Sequence, residues 1–356
     1  MQQWLNDTTV DGFLGNLRDY EKFIKTDSIW NATLTTETTK PAKATMVTSA
    51  VGLLNMYEYT MSYNGTTDSN GYLNNDLYWW TLTPYNTSRV RYVHVVGNAS
   101  NEDVTGSNGG RPAINLKSSV EIVSGSGTAS DPYRLKGDND TPATGTKLAT
   151  RYSGEYIRFG TGENNLYQIV SHETEGLTKI TSAIPLKESG SYKRIAFASS
   201  GVNYSSSNTI GAFLNGEYLT SGSYLTTDQV NMIEDNTTWY LGTVAKGTSY
   251  KLAKYASATS TNLTSNTTIA KVGLLRYGEL NSGQFDRYVN NTTVYWTLTP
   301  YNTSKVCSVD GTGYVDNRSD VTYANGGRPT INLKSNVVIT SGDGTKENPF
   351  EVKLAG

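Results

Sequence analysis

The chain of 356 residues is poor in several things that steer a functional reading. It has one cysteine, Cys307, so no internal disulfide can staple it. It has two histidines, His94 and His172. Two histidines and one cysteine cannot build a zinc site of the Cys/His kind. His172-Glu173 also lacks the second histidine of a zincin helix. Charged residues make up 17% of the chain, below the roughly 25% of soluble domains. Net charge is −2 and there is no basic block, so the electrostatic footprint of a nucleic-acid partner is missing. No apolar run reaches the ~18 residues of a membrane span, and no direct membrane insertion is expected. The opening "MQQWLNDTTV" lacks the basic start and apolar centre of a signal peptide. Either the protein acts inside the cell or a targeting segment has been removed.

What is abundant is Thr, Ser, Asn, Gly and above all Tyr, 25 of them against seven Phe. That composition favours β-structure with polar, hydrogen-bonding surfaces, as in secreted and surface-exposed bacterial proteins. The chain also repeats itself. Trp80 to Ser88, "WTLTPYNTS", recurs without change as Trp296 to Ser304. "NGGRPAINLKS" (108–118) recurs as "NGGRPTINLKS" (325–335), "SGSGTASDPYRL" (124–135) as "SGDGTKENPFEV" (341–352), and "VGLLNMYEY" (51–59) as "VGLLRYGEL" (272–280). The order is kept, so this is a duplicated domain, far longer than the 20–50 residues of a solenoid repeat. The first unit covers 1–136, a polar Gly/Pro segment at 137–149 reads as linker, and the second unit covers 150–356. Residues 141–212 have no counterpart ahead of Met1. They hold "GEYIRFG", "NLYQIVSHE" and "GLTKITSAI", three short runs that read as strands. The first unit therefore lacks its opening strands. Either Met1 is a cut within a longer protein, or a neighbouring chain supplies them at an open sheet edge.

Within a unit the expected order is strands, two short helices, then several strands with long loops. The helices are expected at "IGAFLNGEYL" and "TTDQVNMIEDN". The counterpart of the second, "FLGNLRDYEKFI", carries Phe13, Leu17, Tyr20 and Ile24 on one helical face. "KVGLLRYGEL" reads as a buried strand. "YWTLTP" alternates Trp296 and Leu298 with Thr297 and Thr299, giving one buried and one polar face until Pro300 ends it. This is an α+β fold with helices segregated from antiparallel sheet.

The order "FLN … VGLL…E … YWTLTP … GGRPTINL" resembles the bacterial C-type-lectin-like domains of Firmicutes surface proteins. Those are related in fold to formylglycine-generating enzymes and phage tropism determinants. The matching stretches are Val272 to Leu275, Trp296 to Pro300 and Gly327 to Leu333, and in the first unit Val51 to Leu54, Trp80 to Pro84 and Gly110 to Leu116. The resemblance covers all of the second unit and about two-thirds of a unit in the first. It departs where Thr follows Trp-Thr-Leu, since Arg-Ser is more usual there. It implies tandem C-type-lectin-like domains and a frame that includes Trp80, Pro84, Trp296 and Pro300. It transfers no function, because this fold hosts many.

A catalytic group needed by the unit is expected in both copies. Cys307 aligns with Arg91, and the oxidation carried out by formylglycine-generating enzymes needs two cysteines. His94 aligns with Asp310, and His172 lies where the first unit has no counterpart, so no Ser-His-Asp set is shared. The shared carboxylates reduce to Glu58 with Glu279, one per unit and not a pair. No enzyme is expected. Asp310, Asp316 and Asp320 with Asn317 offer oxygen ligands of the kind calcium takes; the plainer reading is a polar surface loop. Arg111 and Arg328 suit an anion clamp or, as favoured here, a structural tie from an extended residue before proline to loop carbonyls.

Between the shared motifs, "RVRYVHVVGNASNEDVTGS" stands against "KVCSVDGTGYVDNRSDVTYA" at nearly equal length. A fixed frame with a divergent loop is how scaffolds carry recognition. Tyr85, Tyr92, Asn98, Tyr301, Tyr314, Asn317 and Tyr323 are the candidates, as rigid amphipathic area and adaptable hydrogen bonds. The expected function is an extracellular, cell-surface adhesin or ligand-binding module that takes a host or environmental glycan or protein. A structural subunit of a pilus or surface filament, contacting neighbouring copies of the chain, is the alternative. A phage receptor-binding protein is a further one.

Overall fold

The computed structural model describes all residues except 10, 18, 37–38, 63–72, 75–76, 129–131, 138–142, 173, 175, 243–265, 283–292, 312 and 314–316. The chain forms two compact units, Met1–Asp140 (unit 1) and Thr141–Gly356 (unit 2). Both are α+β, mostly short antiparallel strands with a few short helices. Residues 143–149, read as linker, belong instead to unit 2. Leu148 is buried in its core, and Gly145 and Thr146 exchange backbone hydrogen bonds with Ile339.

In unit 1 we label β1 (Val51–Leu53), α1 (Met56–Thr60), β2 (Trp79–Pro84), β3 (Arg89–Val93), β4 (Ala99–Asp103) and β5 (Pro112–Ile114). A four-stranded sheet has the order β4-β3-β2 followed by Gly109–Gly110, and a separate pair joins β1 to β5. In unit 2 the labels are β6 (Tyr156–Arg158), β7 (Leu166–Ser171), β8 (Thr178–Ser182), α2 (Thr209–Asn215), α3 (Thr227–Met232), β9 (Val272–Gly273), α4 (Tyr277–Ser282), β10 (Tyr295–Pro300), β11 (Lys305–Val309), β12 (Asn317–Asp320) and β13 (Thr330–Leu333). One five-stranded sheet runs β6-β7-β8-β13-β9. The other runs from Arg194–Ala196 through Ala324–Gly326 to β10, β11 and β12. The core of unit 2 lies on one face of the first sheet, where Ile157, Tyr167, Ile169, Ile180 and Ile331 meet Leu214 of α2 and Trp296 of β10.

Two expectations about elements are corrected. "FLGNLRDYEKFI" is not one helix. It forms a 3₁₀ turn at Leu14–Asn16 and a single helical turn at Tyr20–Phe23, because Asp19 takes a left-handed conformation (φ 43°) between them. "VGLLRYGEL" is not one strand. After Val272–Gly273 the chain turns into α4, and its counterpart turns into α1, so each unit has a further helix. Glu58 and Glu279 explain this. Glu58 Oε2 accepts the Asn55 N–H at 2.8 Å and completes a capping box, and Glu279 Oε2 accepts the Arg276 N–H at 2.8 Å.

The glycine of VGLL is a packing requirement. A Cβ on Gly52 would drive into the Trp30 indole, and one on Gly273 into the Trp239 indole. Each indole donates to a backbone carbonyl, Trp30 to Ser49 and Trp239 to Ala270, both at 2.9 Å. The surplus of Tyr over Phe has a related reason. Buried phenols close polar gaps that a phenyl would leave open: Tyr204 Oη donates to Val272 O at 2.6 Å, and Tyr167 and Tyr218 share a hydrogen bond of 2.6 Å. Burial pushes all three phenols upward from the usual value, so they stay neutral donors.

Candidate binding site

The repeated "WTLTPYNTS" is the element that positions the variable loops. Its strand threonines, Thr81 and Thr83 in one copy and Thr297 and Thr299 in the other, are buried rather than solvent-facing. Thr81 Oγ1 donates to Arg91 O at 2.8 Å and Thr297 Oγ1 to Cys307 O at 2.7 Å, each bridging a register shift in the hairpin. Thr83 Oγ1 accepts the Met56 N–H at 2.8 Å, and Thr299 Oγ1 accepts the Tyr277 N–H at 2.9 Å. Those amides open α1 and α4 and have no partner within their own helix. A strand hydroxyl thus fastens the helix to the sheet in both units. Trp296 Nε1 donates to Ile195 O at 2.8 Å, and Pro84 and Pro300 end their strands opposite Val90 and Val306.

The "YNTS" tail is a turn. Asn86 Oδ1 accepts the N–H groups of Ser88 and Arg89 at 2.9 and 2.8 Å, and Asn302 Oδ1 those of Ser304 and Lys305 at the same two distances. Tyr85 N–H to Arg89 O and Tyr301 N–H to Lys305 O close the hairpins at 2.9 Å. The Asn-Thr-Ser run of each copy therefore encodes an Asx turn. Tyr85 and Tyr301 stand exposed at its edge, each under a guanidinium: Arg91 lies 5.1 Å from the Tyr85 centroid and Arg318 lies 4.0 Å from that of Tyr301.

Among the other loop candidates, Tyr323 is exposed after β12. Tyr314 and Asp316 lie outside the described residues, as does the side chain of Asn317. Asp320 Oδ1 accepts from the Thr322 N–H at 3.1 Å and its hydroxyl at 2.9 Å, and the backbone bond holds its carboxyl below the usual value. Among the described residues no group of three His, Cys, Asp or Glu side chains converges as a metal site would require.

Tyr92 and Asn98 fall in a cluster that sequence reasoning missed. The Tyr92 ring lies 6.1 Å from that of buried Trp80 and 6.0 Å from that of exposed Tyr78, and Tyr78 meets His94 edge-on at 4.8 Å. Tyr78 Oη and His94 Nε2 share a hydrogen bond of 3.3 Å, and the Val96 N–H donates to Nδ1 at 3.3 Å. With Nδ1 accepting, the neutral ring carries its proton on Nε2 and donates it to Tyr78. His94 N–H bonds Asn98 O at 2.9 Å, and the Asn98 Oδ1 atom beside it is shielded without a donor among the described residues. The signal was present but divided, since Tyr78 precedes the repeated motif and His94 follows it. In unit 2 the aligned residues are Val294, Ser308 and Asp310.

Arg328 is fully buried. Its Nε donates to Ser182 O at 2.8 Å, its Nη1 to Tyr295 Oη at 3.3 Å, and its plane lies 5.3 Å from the Tyr295 centroid. Arg111 stacks 4.9 Å from the Trp79 centroid and donates to Leu73 O. His172 has both ring nitrogens against carbonyls, Nδ1 to Leu177 O at 3.2 Å and Nε2 to Arg151 O at 2.6 Å. Burial pushes its pKa down. The second face of the β6–β9 sheet buries Lys179 against Glu279, Nζ to Oε1 at 2.6 Å, with Arg276 Nη2 at 3.5 Å from the same oxygen.

The profile of one family, described as a domain of unknown function (DUF6273), matches residues 1–118, which lie in unit 1. No curated protein and no solved structure matches the chain.

Proposed function

We propose that the chain is a non-catalytic recognition module of the bacterial cell surface. In this reading it is built from two units of the C-type-lectin-like kind, and unit 1 takes a glycan on the platform of Tyr78, Tyr92 and His94. The observation that carries the reading is the platform itself. Aromatic rings run from the buried Trp80 outward to the exposed Tyr78 and are locked by the hydrogen bond to His94. A platform held rigid from below gives up little side-chain entropy on binding. The rings supply apolar faces for a sugar, and the Tyr78 hydroxyl, which accepts from His94, keeps its own proton to donate. The absence of catalysis is supported by how the chemically able groups are used. His172 is engaged on both nitrogens, and Glu279 is occupied by a backbone amide and Lys179.

A glycan array followed by titration calorimetry tests this. Tyr78→Ala is expected to abolish detectable binding while leaving the melting temperature nearly unchanged, because Tyr78 is exposed. Full-strength binding by that variant would overturn the reading.

A further inference from the structure

The two units differ most where the sequence repeat stops. In unit 2, β13 has a neighbour on each side, β9 on one and β8 on the other. In unit 1 its counterpart β5 pairs with β1 as its one strand neighbour among the described residues. The Asn115 carbonyl and the Lys117 amide bond to Lys25 N–H and Phe23 O at 2.9 and 2.8 Å. Alternation along the strand then turns the N–H and C=O of Ile114 and Leu116 toward the other edge, where no described strand lies.

The apolar side chains around that edge tell the same story. Ile114, Leu116, Ile122 and Tyr133 are 40%, 43%, 61% and 54% exposed. Their counterparts Ile331, Leu333, Ile339 and Phe350 are 0%, 0%, 1% and 0% exposed, packed with Ile157, Ile169 and Ile180 of three strands without a described counterpart in unit 1. Unit 2 thus shows within the same chain what covers this surface. β8 pairs with β13 through Ile180↔Ile331, and β6 bridges to Phe350 through Ile157.

The opposite face of the edge carries a second, independent mark. A cleft of about 600 Å³ is lined by Trp30, Leu53, Glu58, Leu82 and Asn115, with Lys43 also on its wall. The aligned residues of unit 2 are Trp239, Leu274, Glu279, Leu298 and Asn332. There the Lys179 side chain takes the corresponding place. It sits opposite Asn332 in the strand register, 5.5 Å from the Trp239 centroid and 2.6 Å from Glu279 Oε1. Glu58 keeps the backbone hydrogen bond that Glu279 makes, but it is exposed, and among the described residues no cation pairs with it.

We propose that unit 1 accepts a β-strand of the Lys-Ile pattern, added antiparallel to β5. The incoming strand carries an apolar residue opposite Ile114 and, next to it, a lysine opposite Asn115 that enters the cleft and pairs with Glu58. This is strand addition with main-chain bonds for affinity and side-chain pockets for specificity. The Lys-Ile pair of β8, Lys179-Ile180, is the pattern it must match.

The test uses the full chain and a fluorescein-labelled peptide of residues 176–184, read by anisotropy and by hydrogen exchange. Saturable binding is expected, with new protection at residues 113–117. Glu58→Gln keeps the capping function but removes the charge. It should weaken binding about thirtyfold or more, as should a Lys179→Met peptide. Ile114→Lys, at a position already exposed, should abolish binding. The proposal is overturned by no saturable binding up to about 1 mM for this peptide and for the longer peptide 154–184. Equal affinity for the lysine-free peptide would also overturn it, as would protection that appears at residues 330–333 instead. Concentration-dependent self-association lost in Glu58→Gln would support it, with a second copy as the donor. The platform variant Tyr78→Ala is expected to leave peptide binding unchanged, so the two readings fail separately.

Discussion

Replacing Thr299 by valine removes one hydroxyl and changes little else. The side chain is 1% exposed, valine has nearly the same volume, and both residues suit a strand. What is lost is the acceptor for the Tyr277 N–H, 2.9 Å away, at the first turn of α4. That amide lies too early in the helix for an internal partner, and the acceptor it would lose is a buried one. An orphaned buried donor costs about 1–3 kcal/mol. Taking about 2 kcal/mol, the melting temperature of a unit this size should fall by roughly 4–8 °C. Calorimetry of the full chain gives the shift, and hydrogen exchange should show the Tyr277 amide losing protection. Thr299→Ser, which keeps the hydroxyl, should retain that protection. A valine variant as stable as the parent, with the Tyr277 amide still protected, would refute the claim that this threonine holds the helix. The equivalent Thr83→Val should expose the Met56 amide in unit 1.

Two further outcomes follow from buried charge. Lys179→Met leaves Glu279 with Arg276 as its cation among the described residues, and should lower stability by about 3 kcal/mol in urea titrations, as expected when one member of a buried pair is deleted. His172 gives a pH dependence. Its folded pKa lies below the ordinary 6.5 because burial disfavours the charged ring. On acidification the unfolded chain therefore binds a proton before the folded one does. The stabilisation is full above about pH 6.5 and declines as pH falls toward the folded value. Melting temperatures between about pH 7 and 5 should fall less steeply in His172→Gln than in the parent.

The duplication, the α+β order and the strand of the shared motif were all legible in the residues. A strand motif kept unchanged across a duplication reports constraints that both copies share, and alternation of Trp and Leu with Thr is visible without coordinates. The three strands of residues 154–184 were readable for the same reason, since they are short, β-branched and bounded by turns. The long helix expected at 13–24 was not formed, because periodicity describes one face of a segment and carries no information about a left-handed residue such as Asp19. The Asn55-to-Glu58 spacing was a local signal for the helix after VGLL, but the other partners that fix these helix starts are distant in sequence. Thr299 supplies the cap for Tyr277, and Lys179 supplies the charge for Glu279.

By itself the sequence determined local matters: which segments alternate, where turns fall, and that two copies share one frame. Only the tertiary structure decided which side chains meet. It placed Tyr78 beside His94 across a hairpin, turned both threonines of the repeated strand inward, and left Ile114 and Leu116 bare where Ile331 and Leu333 are covered. The physical reason is that burial and hydrogen-bond satisfaction depend on neighbours brought together by folding. Near-identical strands, "RPAINL" and "RPTINL", therefore become an open edge in one unit and the middle of a sheet in the other.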